Sequence, residues 1–340
     1  MRNTLAVTLG FIVLGCSFAA HANPLEMKLL SMWPESQTQM VEVVIPWAEK
    51  VREATNGEIV VNVFAVGALV DALENRISVK EGLADIGIWV SYPHETPAAF
   101  LTGAPYMAKS IRNCTDVLLE LATTVPAIKA EIDDQGVFLG FSCSAPLIIA
   151  SVHTPIRTPE DINGKLVLVV TPNNAPMIEA WGGVPIYITQ DEVYSSLRSG
   201  MGEVYLSGAS NVRGLRIMEV AKYMTQPGFP SAGGFYITMN RDTFESLPTE
   251  QQHLMLDLGR QLANSICESF VKDYQISVEA YKDGGAEMIE LTPEALEKFR
   301  VATLPMLPIM EHIAQQAGLE NTAALIEEYY RIANDVPFRE

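Results

Sequence analysis

The sequence predicts an α/β protein of two lobes with a cleft between them. Three observations carry that expectation. Strand-like and helix-like segments alternate from Glu26 to about Val90. The alternation restarts near Pro146 after a break. No low-complexity or Pro/Ser-rich linker separates the halves, so the lobes are joined by more than one crossing of the chain.

The first half opens with Glu26 to Trp33, a loosely alternating strand broken by Pro34. Gln39 to Thr55 is a helix, with Val43, Val44, Trp47 and Val51 at three- and four-residue spacing and Asn56-Gly57 as its left-handed end. Glu58 to Ala65 is β-rich and alternating, Asp71 to Glu81 is a helix, and Asp85 to Val90 is the next strand. The second half has strands at Val137–Phe141 and Leu147–Val152, then a short helix with Thr158 as N-cap and Pro159 at its first position. Gly164 to Val170, GKLVLVV, is apolar on both faces after the lysine, which suits a central strand covered on each side. Ala175–Trp181 is helical, Val184–Ile188 a strand, Asp191–Ser199 a helix closed by Gly200, and Gly202–Ser207 a strand. Gly234–Asn240 is a further strand, and a long helix opens near Thr249 and runs past Tyr281. Two more helices begin near Thr292 and Asn321. The expected division is residues 1–22 as a signal peptide, 23–145 with about 234–275 as lobe I, and 146–233 with about 276–340 as lobe II.

The first 22 residues read as a secretory address: Arg2, an apolar run from Leu5 to Phe18, and small residues at Ala20 and Ala22 before a cut at Asn23. Acylation at Cys16 is a weaker alternative, because Leu14 fits a lipobox poorly. No later segment holds about 18 uninterrupted apolar residues, so the mature chain is expected to be soluble and periplasmic. Acidic residues outnumber basic ones 41 to 23, a net charge of −18. Such a surface repels phosphate backbones and argues against nucleic-acid binding. Cys114, Cys143 and Cys267 remain after cleavage; one disulfide and a free thiol, or three buried thiols, both fit, and their spacing fits no metal site.

Catalytic motifs are missing. There is no Gly-x-Ser-x-Gly elbow, no phosphate loop and no His-Glu-x-x-His. Gly200-Met-Gly202 lacks the third glycine of a dinucleotide loop. His94, His153, His253 and His312 are scattered, and pairs such as Asp133-Asp134 and Asp191-Glu192 sit where turns and helix starts want negative charge. Neither cofactor nor metal is expected, and ligand capture fits better than turnover.

Several segments resemble one family in order and spacing: NGEIVVNVFAVGAL (56–69), VKEGLADIGI (79–88), TPIRTPEDINGKLVLVV (154–170), DEVYSSLRSG (191–200), EVAKYM (219–224) and MNRDTFESLPTEQQ (239–252). The chain resembles the periplasmic solute-binding component of tripartite ATP-independent periplasmic (TRAP) transporters. The resemblance implies the two-lobed periplasmic binding protein fold, hinge closure on a small organic solute, and delivery to integral membrane permease subunits. A secreted α/β enzyme and a stand-alone sensor are the alternatives from other classes.

The resemblance also implies an arginine in the strand after Gly164, paired with a substrate carboxylate. Leu168 stands at that position, and leucine donates no hydrogen bond. A second arginine of some relatives falls near Ile148, the acid of the later Val-Asp-Gly segment near Glu203, and an asparagine near Ser207. Three readings follow: a neutral, cationic or apolar ligand; an organic acid held elsewhere, by Arg213 or by backbone N–H groups; or a shifted register. Ligands of open α/β sheets sit beyond the strands' carboxyl ends. Those ends carry Trp33, Trp89, Tyr92, Thr171, Asn173 and Ser207; with Phe235 after the crossing back, and with Leu168 and Arg213 from the resemblance, these are the candidate ligand-binding residues, while Trp47 and Trp181 read as core.

Overall fold

Leu25–Leu30 forms strand β1, in which Met27, Leu29 and Leu30 are buried. In the computed structural model, which describes residues 23–171, 174–228 and 233–339, a π turn at Met40–Val44 leads into α1 (Ile45–Ala54). Asn56 and Gly57, both at positive φ, turn the chain into β2 (Ile59–Phe64), which pairs in parallel with β1 from Leu25↔Ile59 to Leu30↔Phe64. Helix α2 (Asn75–Lys80) and strand β3 (Ile86–Trp89) follow. Three helices then come that sequence periodicity left unassigned: α3 (Pro97–Leu101), α4 (Ile111–Thr124) and α5 (Pro126–Gln135). They lead to β4 (Val137–Cys143).

The chain crosses to the second lobe through residues 144–146. There it forms β5 (Leu147–Ser151), β6 (Leu166–Val169), α6 (Ala175–Ala180), β7 (Val184–Tyr187), α7 (Val193–Ser199), β8 (Val204–Gly208), α8 (Ala209–Gly214) and β9 (Tyr223–Thr225). Thr158 caps the short 3-10 turn Pro159–Ile162 as expected, and Asp161 completes a reciprocal cap by accepting from the Thr158 backbone N–H at 2.9 Å. Gly200 closes α7 at φ 79°, a left-handed position that glycine takes without steric cost.

After β9 the chain returns to the first sheet. Strand β10 (Gly234–Met239) inserts antiparallel between β3 and β4, completing a first sheet of order β2-β1-β3-β10-β4. Helix α9 (Arg241–Ser246) precedes α10 (Thr249–Asp283), which then passes into the second lobe. Strand β11 (Glu287–Ile289) adds an edge to a second sheet of order β11-β9-β5-β8-β6-β7. Strand β6 lies between β7 and β8, parallel to both, and accounts for the unbroken apolar run: Val167 and Val169 enter one core and Leu168 another, on the opposite face.

Helices α11 (Pro293–Thr303), α12 (Met306–Gln316) and α13 (Thr322–Asp335) end the chain. The sequence-based division put them all in lobe II. Helix α13 instead packs on α3 and α4 of the first lobe. The Tyr329 hydroxyl donates to the Ala98 carbonyl at 3.2 Å, and that of Tyr330 to Pro105 at 2.6 Å. Burying these rings against α3 and its following loop takes the tail back across the molecule. Cys114 of α4 and Cys143 at the end of β4 form a disulfide, and Cys267 is a buried free thiol. Among the described residues no helix is long and apolar enough to cross a membrane.

Candidate ligand-binding site

The strand ends of the first lobe are tied together before any ligand is considered. Asn75, almost fully buried, donates from Nδ2 to the carbonyls of Ser31 (3.2 Å) and Ile88 (3.0 Å), fixing the ends of β1 and β3 side by side. Just beyond β1, the Trp33 backbone N–H donates to the Ser31 hydroxyl at 3.1 Å. The Trp33 ring meets Phe235, at the start of β10, edge-on with centroids 4.9 Å apart. It meets Phe270 of α10 in the same way at 6.2 Å. Phe235 and Phe270 stack at 5.7 Å with an interplanar angle of 8°. Three rings from distant parts of the chain thus form one aromatic platform, a geometry favoured by the ring quadrupoles, in which Trp33 and Phe270 are buried in the core and Phe235 alone is part-exposed.

Trp89 and Tyr92 part company. Trp89 is fully buried: it stacks on Tyr236 at 4.7 Å, and its Nε1 donates to Thr238 Oγ1 at 3.0 Å. Tyr92 is only part-buried, in the loop before α3. Its backbone N–H donates to Thr96 Oγ1 at 2.9 Å. Burial, helped by the Glu95 carboxylate, pushes its hydroxyl up to about 12. Glu131 of α5 supports this loop from behind, accepting from the N–H groups of Ala98 (2.7 Å) and Ala99 (2.8 Å) at the start of α3.

In the second lobe Leu168 is fully buried among Ile148, Tyr205 and Leu197. Gly202 lies hard against it: a Cβ there would stand 2.5 Å from Leu168 Cγ. The Glu203 carboxylate is held by Lys165 at 2.8 Å. Thr171 is exposed just past β6, and Asn173 lies outside the described residues. Ser207, near the end of β8, is buried and accepts from Asn211 Nδ2 at 3.1 Å. Burial pushes the Tyr205 hydroxyl up to about 12, with the Ser207 hydroxyl close enough to oppose that shift, and the Ser210 hydroxyl is buried without a hydrogen-bond partner among the described residues.

Arg213 is the charged group of this region. It extends from α8 to α10, where its Nη2 donates to Asp273 and its Nε to Ser277 Oγ at 3.2 Å. Phe270 and Asp273 are three residues apart on α10, so their side chains are neighbours on one helix face, with Cβ atoms about 5–6 Å apart. One turn of α10 therefore joins the aromatic platform of lobe I to the guanidinium of lobe II. Sequence reading named Trp33, Phe235 and Arg213 but missed Phe270, Asp273 and Ser277. On a long amphipathic helix, a phenylalanine reads as core and an aspartate as solvated surface. Among the described residues no cluster of His, Cys, Asp and Glu could hold a metal.

Two sheets joined by two crossings and a shared helix, with an aromatic cluster in the first lobe and Arg213 reaching from α8 of the second to that helix, define a two-lobed solute-binding protein. The family model of the bacterial extracellular solute-binding proteins, family 7, matches residues 30–313, and the chain belongs to that family. Its fold is that of a marine metagenome TRAP solute-binding protein specific for aromatic acids and solved with metahydroxyphenylacetate. That likeness has a TM-score of 0.82 at 21% identity, covering 92% of this chain and 100% of the other. It is also similar to a Sulfitobacter TRAP periplasmic solute-binding protein with bound β-D-galacturonate, with a TM-score of 0.74 at 23% identity over 90% of this chain and 99% of that one. A curated relative, the C4-dicarboxylate-binding periplasmic protein DctP of Rhodobacter capsulatus, is 25% identical over 52% of this chain and 53% of its own length. The chain spans about half the length of three curated relatives it matches, from 46% to 53%, and 93% of a fourth, a Salmonella typhimurium protein 25% identical to it.

Proposed function

We propose that this protein is an extracytoplasmic receptor that captures a small organic acid between its lobes and delivers it, unchanged, to a TRAP-type membrane permease. The observation that carries this reading is the junction on α10, where a three-ring platform and an arginine stand one helical turn apart. Phe235, the part-exposed ring of the three, is proposed to meet the flat or apolar body of a ligand, with Trp33 and Phe270 packed behind it. A guanidinium takes a carboxylate, with planar geometry that lysine lacks. Arg213 then replaces the clamp that Leu168 cannot supply. Tyr92, Thr171 and Ser207 complete the proposed lining, with Ser210 as an unspent hydrogen-bonding group near Ser207. Trp89 and Leu168 expose no surface and are proposed as packing behind the site rather than as contacts. Asn173 remains a candidate just beyond Thr171. Organic acids are also what the structural neighbours hold. Export by residues 1–22 and a periplasmic location complete the reading.

Thermal melting of the chain from Asn23 onward, against aromatic acids, uronates, neutral analogues and cations of matching size, tests it. A ligand at about 100 times its Kd adds about 2.7 kcal/mol of stability. The expected outcome is a shift with at least one acid, lost in Arg213→Ala, with the acid recovered intact. Stabilisation by cations alone would sink the organic-acid reading. Conversion of the ligand would favour the enzyme alternative.

A further inference from the structure

Arg213 does not face the cleft as a free cation. Its Nη2 donates to Asp273 Oδ1, and its Nε donates to Ser277 Oγ at 3.2 Å. The Asp273 side chain is 3% exposed, whereas that of Arg213 is 31% exposed. The buried carboxylate therefore backs the guanidinium, and the open side lies toward solvent. Nη1 has no hydrogen-bond partner among the described residues. Arginine carries its five N–H donors in one rigid plane, so fixing the Nε and Nη2 positions also fixes where the Nη1 donors point.

Hydrogen bonding and charge now separate. The open edge can donate to any acceptor, charged or neutral. The ion pair as a unit is neutral. A ligand carboxylate placed there is drawn by the guanidinium and repelled by Asp273 behind it, both at short range in a partly desolvated site. A neutral amide carbonyl accepts from the same donors without that repulsion. The platform of Trp33, Phe235 and Phe270 is indifferent to the charge of the head group. The chain's net charge of −18 adds a further bias against anions.

Resting on the organic-acid reading above, we infer that Asp273 is a specificity-determining positioning residue: it aims Arg213 while cancelling its charge, so that the site takes an aromatic acid and the uncharged amide of that acid with similar affinity. Ser277 shares the aiming but not the cancellation.

The test is calorimetric titration with 3-hydroxybenzoate and 3-hydroxybenzamide, on the wild type, Asp273→Asn and Ser277→Ala. The wild type should bind the two compounds within about tenfold of each other. Asp273→Asn, which keeps shape and an acceptor oxygen but removes the charge, should tighten acid binding by about tenfold or more and leave the amide nearly unchanged. Ser277→Ala should weaken both compounds equally, leaving their ratio unmoved. A wild-type preference for the acid beyond about tenfold, or an Asp273→Asn variant that moves both compounds together, would overturn the inference and leave the organic-acid reading standing. The wild-type ratio decides alone if the variant does not fold. If another acid of the melting panel binds instead, the same comparison is made with that acid and its amide. Silence from every acid removes the organic-acid reading, and the role of Asp273 with it.

Discussion

Glu131 shows how a single side chain behind the site sets a pH dependence. Its carboxylate caps α3 through two backbone N–H groups, which favour the charged form. Burial opposes them and wins, raising its pKa from 4.5 to about 7. A raised carboxyl keeps its proton in the folded chain after the unfolded chain has lost it. The stability it contributes is therefore full below pH 4.5 and is lost as pH rises toward 7 and beyond. Glu131→Gln should flatten this slope. The difference between wild type and variant, followed by urea unfolding from pH 4.5 to 8, is expected to change by about 1–2 kcal/mol once screening of a part-exposed group is allowed for. A parallel pair of profiles would show that Glu131 is ionised throughout. Residues of this kind are hidden in the sequence: Glu131 looks like any acid on an amphipathic helix until α3 is seen to begin against it.

At the scale of elements, α10 decides most of the architecture. Its first half lies directly on β4, where a Cβ on Gly259 would come within 2.6 Å of Leu139 Cβ and 3.0 Å of the Leu139 carbonyl oxygen. The Trp47 indole reinforces this seam by donating to the Leu258 carbonyl at 2.7 Å. Its second half is held by Arg213 and by the Tyr281 hydroxyl, which donates to the Ala209 carbonyl. Alanine at position 259 would gain about 1 kcal/mol of helix propensity. The close approach to a rigid strand would cost about 1–3 kcal/mol. Gly259→Ala is therefore expected to destabilise, by up to about 2 kcal/mol in chemical denaturation; a stabilised variant would mean that helix and strand slide apart cheaply. Elements with strong periodicity were legible in advance, including β2, β6, α7 and most of α10. Helices α3 and α5 were not, because short helices opened by Pro97 and Pro126 give no sustained period; α4 carries Ile111, Cys114, Val117, Leu118 and Leu121 at helical spacing, a period that was there to be read and was missed. The three-residue strands β9 and β11 exist only through their pairing with each other and with β5.

For the whole molecule, the two sheets and their two crossings were readable from the restart of the α/β pattern, but the return of α13 to the first lobe was not. Which rings meet was equally out of reach: Trp33, Phe235 and Phe270 are brought together only when β10 inserts beside β3 and α10 lies across both lobes. That arrangement makes a prediction about shape. Small-angle X-ray scattering of the chain from Asn23 onward should show a smaller radius of gyration with a saturating acid than without, as hinge closure requires. Arg213→Ala, measured at the same acid concentration, should keep the larger value. Equal radii for the wild type with and without a ligand proven to bind would mean that capture does not close the lobes.

The bond between Cys114 and Cys143 sits at the last residue of β4, where the chain leaves for the second lobe. A link closing 29 residues of sequence separation restrains the unfolded chain by about 3–4 kcal/mol. Thiols stay reduced where the chain is synthesised and become oxidised only outside the cytoplasm. On the export route proposed above, the polypeptide is thus softer before translocation than after it. The same sequence is easier to thread outward as a reduced chain than to unravel once it has arrived, and its compartment helps to set its durability.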